Sequence, residues 1–309
     1  MRAAGAPDPR AEALRGHAAM LAFSALVAGS FSLGALVANL IDPVSVTAVR
    51  FLWAALVLAI FAAVMARRAD GRRRGFRRAD FRAPWRHVLL GGLFAGYFVL
   101  MFEGLKTGDP VSFGAVFTLT PVMTAGFAWF WLGQRLDGWL AGALAIGAVG
   151  AVWVIFRADW QALLAFQLGR GEAIYFAGCV LHAAFTPLLR RLNRGEPALV
   201  ATSLVMGAGC VLLLALGWQG MRATDWAALP VMVWLTMGYL AIFASALTFF
   251  LLQYATQRLP SSKVMAYTYL TPAWIILWEL GLGHGAPGLS LAPGIALIVL
   301  ALVMLLRRD

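Results

Sequence analysis

The chain has 309 residues, 61% of them hydrophobic and 13% charged, with a formal net charge of +11. Soluble proteins carry roughly twice that charged fraction, so the composition excludes a soluble enzyme or a large soluble domain. The basic excess lies in short stretches between apolar runs, which is the pattern of membrane orientation and excludes a nucleic-acid surface.

The apolar runs approach the ~20 residues needed to cross a hydrocarbon core of about 30 Å. They predict an all-α polytopic membrane protein with ten spans at roughly 18–40, 44–66, 88–106, 110–132, 136–156, 171–190, 198–218, 229–253, 261–282 and 289–306. A polar, basic segment runs from Met1 to Gly16. The run after it is of full spanning length and lacks a small-residue cleavage site, so it reads as a retained first helix. The connection 67–86 is rich in arginine and reads as a topology determinant lying on anionic lipid. The segment 158–169 holds Trp160, Leu163, Leu164 and Phe166, and is expected in the membrane interface.

Alternating the ten spans places twenty Lys and Arg at the end that carries the N-terminus and four at the other, with Arg50 inside a span. By the positive-inside rule both termini are expected in the cytoplasm. Cys179 and Cys210 sit within apolar runs, and His17, His87, His182 and His284 are isolated, so neither a disulfide framework nor a metal site is expected.

The chain also repeats itself. Leu119-Thr120-Pro121 in the fourth span returns as Leu270-Thr271-Pro272 in the ninth, and Asp42-Pro43 before the second span matches Glu196-Pro197 before the seventh. Spans one to five thus overlay six to ten, giving two expected units, 1–157 and 158–309. Five is odd, so the second unit enters the membrane upside down, the inverted-repeat architecture of secondary transporters. Proline is tolerated in membrane helices and bends them, which makes Pro121 and Pro272 candidate hinges.

These motifs resemble the EamA-type members of the drug/metabolite transporter superfamily. The resemblance is carried by Asp42-Pro43 with Arg50-Phe51, by Tyr97 through the first Leu-Thr-Pro to Leu132-Gly133, and by a second copy through Leu270-Thr271-Pro272 to Gly283. Where the family usually closes its fourth span with a glutamate, this chain has Gln134 and, in the second copy, His284. The resemblance implies a ten-helix exporter of amino acids or related small metabolites in a bacterial inner membrane, with aromatic amino-acid exporters among the similar members.

Ionisable and phenolic groups inside spans are expensive in hydrocarbon and become candidate site residues. His182 falls near the middle of the sixth span, Tyr97 lies in the third, and Lys263, Tyr267, Tyr269 and Glu279 share the ninth. All six are candidates for substrate binding, and the ninth span is expected to dominate. Arg50 and Glu103 are candidates for coupling or for structural charge, Glu103 within pairing distance of Lys106 on one helix face.

The expected partners are a small-molecule substrate and the lipid bilayer, with no cofactor, and the oligomeric state is open between monomer and homodimer. A transporter of another solute class, such as a drug or a nucleotide-type metabolite, is the alternative. An intramembrane enzyme would need motifs such as His-Glu-x-x-His that this sequence lacks, and a sensor or scaffold would need a signalling domain.

Overall fold

A computed structural model describes residues 9–67, 76–134, 137–165, 168–256, 258–259, 264, 266–285 and 287–307. Among them every regular element is helical. We number the α-helices α1 Pro9–Val37, α2 Pro43–Arg67, α3 Trp85–Leu105, α4 Pro110–Phe117, α5 Thr120–Leu132, α6 Gly138–Ile155, α7 Trp160–Leu164, α8 Arg170–Leu192, α9 Ala198–Leu216, α10 Trp218–Ala223, α11 Val231–Ala241, α12 Thr248–Thr256, α13 Thr271–Gly281 and α14 Ala292–Leu306.

Short polar signals start these helices. Asp42, Asp109, Asp137 and Asp159 each accept a hydrogen bond from a backbone amide two or three residues on, at 2.8–2.9 Å. Pro43 and Pro110 follow two of these caps in the first turn, where the missing N–H is not needed. Gly133 and Gly283, with φ of 64° and 80°, stop α5 and the α13 run in the left-handed conformation that glycine adopts freely.

Nine helical stretches among the described residues are long and apolar enough to cross a membrane, where ten were expected. The expected ninth span, 261–282, is described in full only from Ala266 onward, as a 3-10 turn Tyr267–Leu270 leading into α13. The expected fourth span is divided into α4 and α5, and Leu119 at the break has φ −78° and ψ −17°. Leu270, at the matching place before α13, has φ −78° and ψ −12°. Each triplet proline therefore falls in the first turn of the second segment, not in a helix interior.

The first helix is already formed at Pro9, the first described residue, ahead of the expected span start at 18. The added turns have partners at the same end of the bundle: Glu12 accepts from Arg258 Nε at 2.8 Å, and His17 Nδ1 lies 2.9 Å from the Tyr267 hydroxyl. Within the segment 158–169, Trp160–Leu164 form the short helix α7, with Trp160 edge-on to Trp153 at 5.2 Å, and Phe166 lies outside the described residues.

The basic connection 67–86 needs a correction at its end. Residues 68–75 lie outside the described part, but Arg86 is no lipid-facing charge. It is buried in the first turn of α3, where its guanidinium donates to Leu192 O at 2.6 Å and to Glu196 Oε1 at 2.9 Å.

The helices pack as α3 against α8 and α9, α2 against α9, α5 against α8, α1 against α12 and α13, and α6 against α14. Glycine permits the closest of these approaches. A Cβ on Gly91 would sit 2.6 Å from the Gly209 amide nitrogen, and one on Gly150 would sit 2.5 Å from Gly294 O. Backbones meet at both points, so a side chain has nowhere to yield.

Candidate functional site

Two of the predicted site residues meet at the middle of the α3–α8 contact. On α3 the residues Phe94, Tyr97, Phe98, Met101, Phe102 and Leu105 recur at helical spacing and form one stripe. On α8 the facing stripe is Tyr175, Cys179 and His182, with Phe185 a turn on. Interleaving the two surrounds the His182 imidazole with rings. Their centroids lie at 4.7 Å for Tyr97, 5.6 Å for Phe117, 6.1 Å for Phe94 and 6.5 Å for Phe185. His182 Nδ1 is buried among them and makes no hydrogen bond. The Tyr97 hydroxyl is 3.1 Å from that of Tyr175, which stacks on Phe113 with centroids 4.4 Å apart.

The second polar group of the interior is Arg50, which is buried on α2. Its Nε donates to the Ser245 hydroxyl at 3.0 Å and its Nη2 to Ala244 O at 3.3 Å. The guanidinium carbon stands 3.7 Å from the centroid of Phe98. Both acceptors belong to a π-helical turn, Ile242–Leu247, that joins α11 to α12. In that turn the Ser245 hydroxyl also donates to Leu240 O at 2.8 Å. A π turn widens the helix and turns carbonyls out of the regular ladder, which is how this turn can offer the Ala244 carbonyl to a side chain. Arg50 thus ties α2 to the α11–α12 helix beside Phe98 of α3. Phe98 in turn lies against Tyr97, centroids 4.7 Å apart, so Arg50 and His182 are the two polar ends of one aromatic cluster.

The remaining candidates do not join this cluster. Tyr267 is at the end of the bundle that holds His17 and Arg258. Tyr269 wedges between α6 and α14, against Gly147 and Leu302, and its hydroxyl is buried without a partner. Glu279 is at the opposite end, where Oε2 lies 2.6 Å from His284 Nδ1. There it lines a cleft of about 390 Å³ together with Asp109, Arg157 and Ser290. Glu103 pairs with Lys106 at 2.7 Å near that same end, and both are partly exposed. Lys263 lies outside the described residues. The five described residues among the six expected substrate contacts are therefore spread over four places, and the described part of the ninth span contributes none of the rings around His182.

Pro121 is buried at the start of α5, and Pro272 packs against Gly114, whose Cβ would lie 3.1 Å from its Cα. Sequence reasoning passed over Phe94, Phe117, Phe185 and Ser245. Phe94 and Phe185 carried a signal, the spacing of aromatics on α3 and α8, whereas Phe117 comes from α4 and nothing in the residues Ile242–Leu247 announces a π turn.

The chain is similar to known proteins. The EamA-like transporter family matches the chain twice, over residues 14–156 and 169–307. An uncharacterized transporter YyaM of Bacillus subtilis is 24% identical over 267 residues, covering 85% of each chain. The aromatic amino acid exporter YddG of Ancylobacter novellus is 29% identical over 290 residues, covering 93% of each. A solved crystal structure superposes with a TM-score of 0.65 at 24% identity over 96% of each chain, a likeness of fold. The family's two matches take in nearly the whole length of the helices described above, and the chain belongs to the EamA-like transporter family as a multi-pass membrane transporter.

Proposed function

We propose that this transporter exports amino acids or related small metabolites, aromatic amino acids foremost, across a bacterial inner membrane. The observation that carries the substrate is the set of rings around His182. Aromatic walls favour a flat apolar guest, through stacking and edge contacts. A buried imidazole nitrogen without a partner is costly, and a donor on such a guest would satisfy it. The similarity to an exporter of aromatic amino acids supports the same class.

Alternating access between two inverted five-helix halves, 1–157 and 158–309, is the mechanism we favour. Its support lies in the exchange of contacts between halves. Helix α3 packs on α8 as the α11–α12 helix packs on α1, and α5 packs on α8 as α13 packs on α1. The matching backbone breaks at Leu119 and Leu270 add to it, and are the support for reading Pro121 and Pro272 as hinges. The run ending in α13 supplies the tenth crossing, and both termini face the cytoplasm by the arginine asymmetry. Arg50 and Glu103 remain as charges of structure or coupling.

The test is reconstitution in vesicles with labelled amino acids, with and without proton and voltage gradients. Efflux of phenylalanine, tyrosine or tryptophan is expected. Transport of another solute class with none of any amino acid would sink the substrate assignment. If His182→Ala changed neither affinity nor pH dependence, His182 would be a packing residue only.

A further inference from the structure

The environment of Arg50 is unusual for a buried cation. No carboxylate among the described residues pairs with it, and its Nη1 is buried without any hydrogen-bond partner. The groups that do touch it are neutral: a hydroxyl, a carbonyl and the face of Phe98. The phenols of Tyr97 and Tyr239 are within electrostatic range of it. A guanidinium held only by neutral groups away from water has an unanswered charge, and the strongest answer is a carboxylate held by two parallel N–H donors.

The two donors are available. Nη1 is free, and Nη2 is engaged only by the longest of the contacts, the 3.3 Å bond to Ala244 O. The Nε bond to Ser245 would persist and hold the fork in place. The aromatic cluster then spans from the guanidinium through Phe98 and Tyr97 to His182. That is the layout expected for a molecule with an anionic head and a flat apolar tail.

We propose that Arg50 is the carboxylate anchor of the transporter, binding the α-carboxylate of its substrate through Nη1 and Nη2 while the side chain of the substrate enters the rings around His182. This rests on the reading of the chain as an amino-acid exporter, and assigns to Arg50 the part of the substrate that all amino acids share. The Ala244 carbonyl stands in for the carboxylate when the site is empty, and substrate binding releases it into the π turn.

The experiment compares acids with their neutral-headed amides on the full-length protein in detergent, by ligand-induced thermal stabilisation. The probes are L-phenylalanine with L-phenylalaninamide and L-leucine with L-leucinamide. The acid of a pair should bind about 10- to 100-fold more tightly than its amide in the wild type, the range of a charge-assisted fork. Arg50→Met should bring that ratio to about one, and Arg50→Lys should keep part of it, since lysine supplies the charge without the fork.

Equal binding of acid and amide by the wild type overturns the proposal, as does an undiminished ratio in Arg50→Met. A preference for acids with no advantage of phenylalanine over leucine leaves the anchor standing and removes the aromatic reading. A preference for phenylalanine over leucine with no difference between acid and amide does the reverse. Binding of neither acid removes both. Should Arg50→Met fail to fold, the wild-type pairs decide the matter alone.

Discussion

The two long contacts that α1 and α8 make with their neighbours are built from different chemistry. Helix α1 is stitched to the α11–α12 and α13 helices by directed hydrogen bonds along its length. Trp274 Nε1 donates to the Ser24 hydroxyl at 2.9 Å, the Tyr239 hydroxyl to Leu26 O at 2.8 Å, and Trp278 Nε1 to Ala25 O at 3.3 Å. The Tyr267–His17 and Arg258–Glu12 contacts complete the row. Helix α8 instead meets α3 and the α4–α5 run, mostly through rings of α3 and α4. Its interior polar links to them are Tyr97 with Tyr175 at 3.1 Å and a long bond from Thr124 to Ala183 O at 3.4 Å. At one end it is fixed through Arg86.

The difference matters for movement. A hydrogen bond to one named carbonyl specifies a register, and is lost if a helix slides or rolls. Ring contacts are only loosely directional and re-form after a small displacement. Under the proposed alternating access, the α1 contact is the spine and the α8 contact the face that opens, with the Arg86–Glu196 pair as its fastening.

The largest expected effect comes from breaking that fastening. Arg86→Ala leaves the buried Glu196 carboxylate without a cation, held only by the Arg194 amide at 2.6 Å, and should cost about 3–5 kcal/mol, read as a lower midpoint of unfolding in detergent. Arg86→Met with Glu196→Leu should recover most of the loss. If the double variant is no better than the single, the cost is packing and not charge. On the other side of the comparison, Gly29→Val should cost about 1–3 kcal/mol by overpacking. A Cβ there would stand 2.3 Å from the Tyr239 hydroxyl and 2.9 Å from Trp278, so it strikes two of the stitches together.

A smaller loss is expected on acidification. Burial pushes the Glu196 carboxyl upward, but the Arg194 amide and the Arg86 guanidinium outweigh it and hold the group below its usual value of 4.5. A carboxylate with a lowered value stabilises the fold fully above that usual value and loses its contribution as pH falls through the lowered one. Thermal midpoints measured from pH 6 down to pH 3 should therefore drop more steeply in the wild type than in the Arg86→Met, Glu196→Leu variant. Equal slopes would detach the pair from the pH response. The smallest effect is Trp274→Phe, which keeps a ring but removes one stitch. About 0.5–1.5 kcal/mol is expected, with substrate affinity unchanged. A change in affinity larger than the change in stability would mean that the α1 contact is no passive spine.

Much of this was open to reading in the residues. Hydrophobic length located the spans, because a membrane demands a nearly fixed thickness of apolar chain. The repeated Leu-Thr-Pro located the paired breaks, because proline constrains its neighbours wherever it falls. What sequence could not supply was direction around each helix. His182 and Tyr97 face one another only because α3 and α8 are turned that way, while Tyr269, two residues from Tyr267, points to a different pair of helices. Arg86 resembled its basic neighbours in composition, and its difference arises from Leu192 and Glu196, which are more than a hundred positions away.

The π turn at Ile242–Leu247 also solves a problem of phase. Tyr239 and Arg258 both reach α1, one to Leu26 and the other to Glu12, yet they stand nineteen residues apart. At 3.6 residues per turn, one extra residue within a helix rotates everything after it by about 100°. A π turn absorbs about one residue, so α11 before it and α12 after it both keep a face against α1. Deleting a single residue from that turn would therefore act at a distance, unhooking one end of the α11–α12 helix from α1 while the other stayed in place.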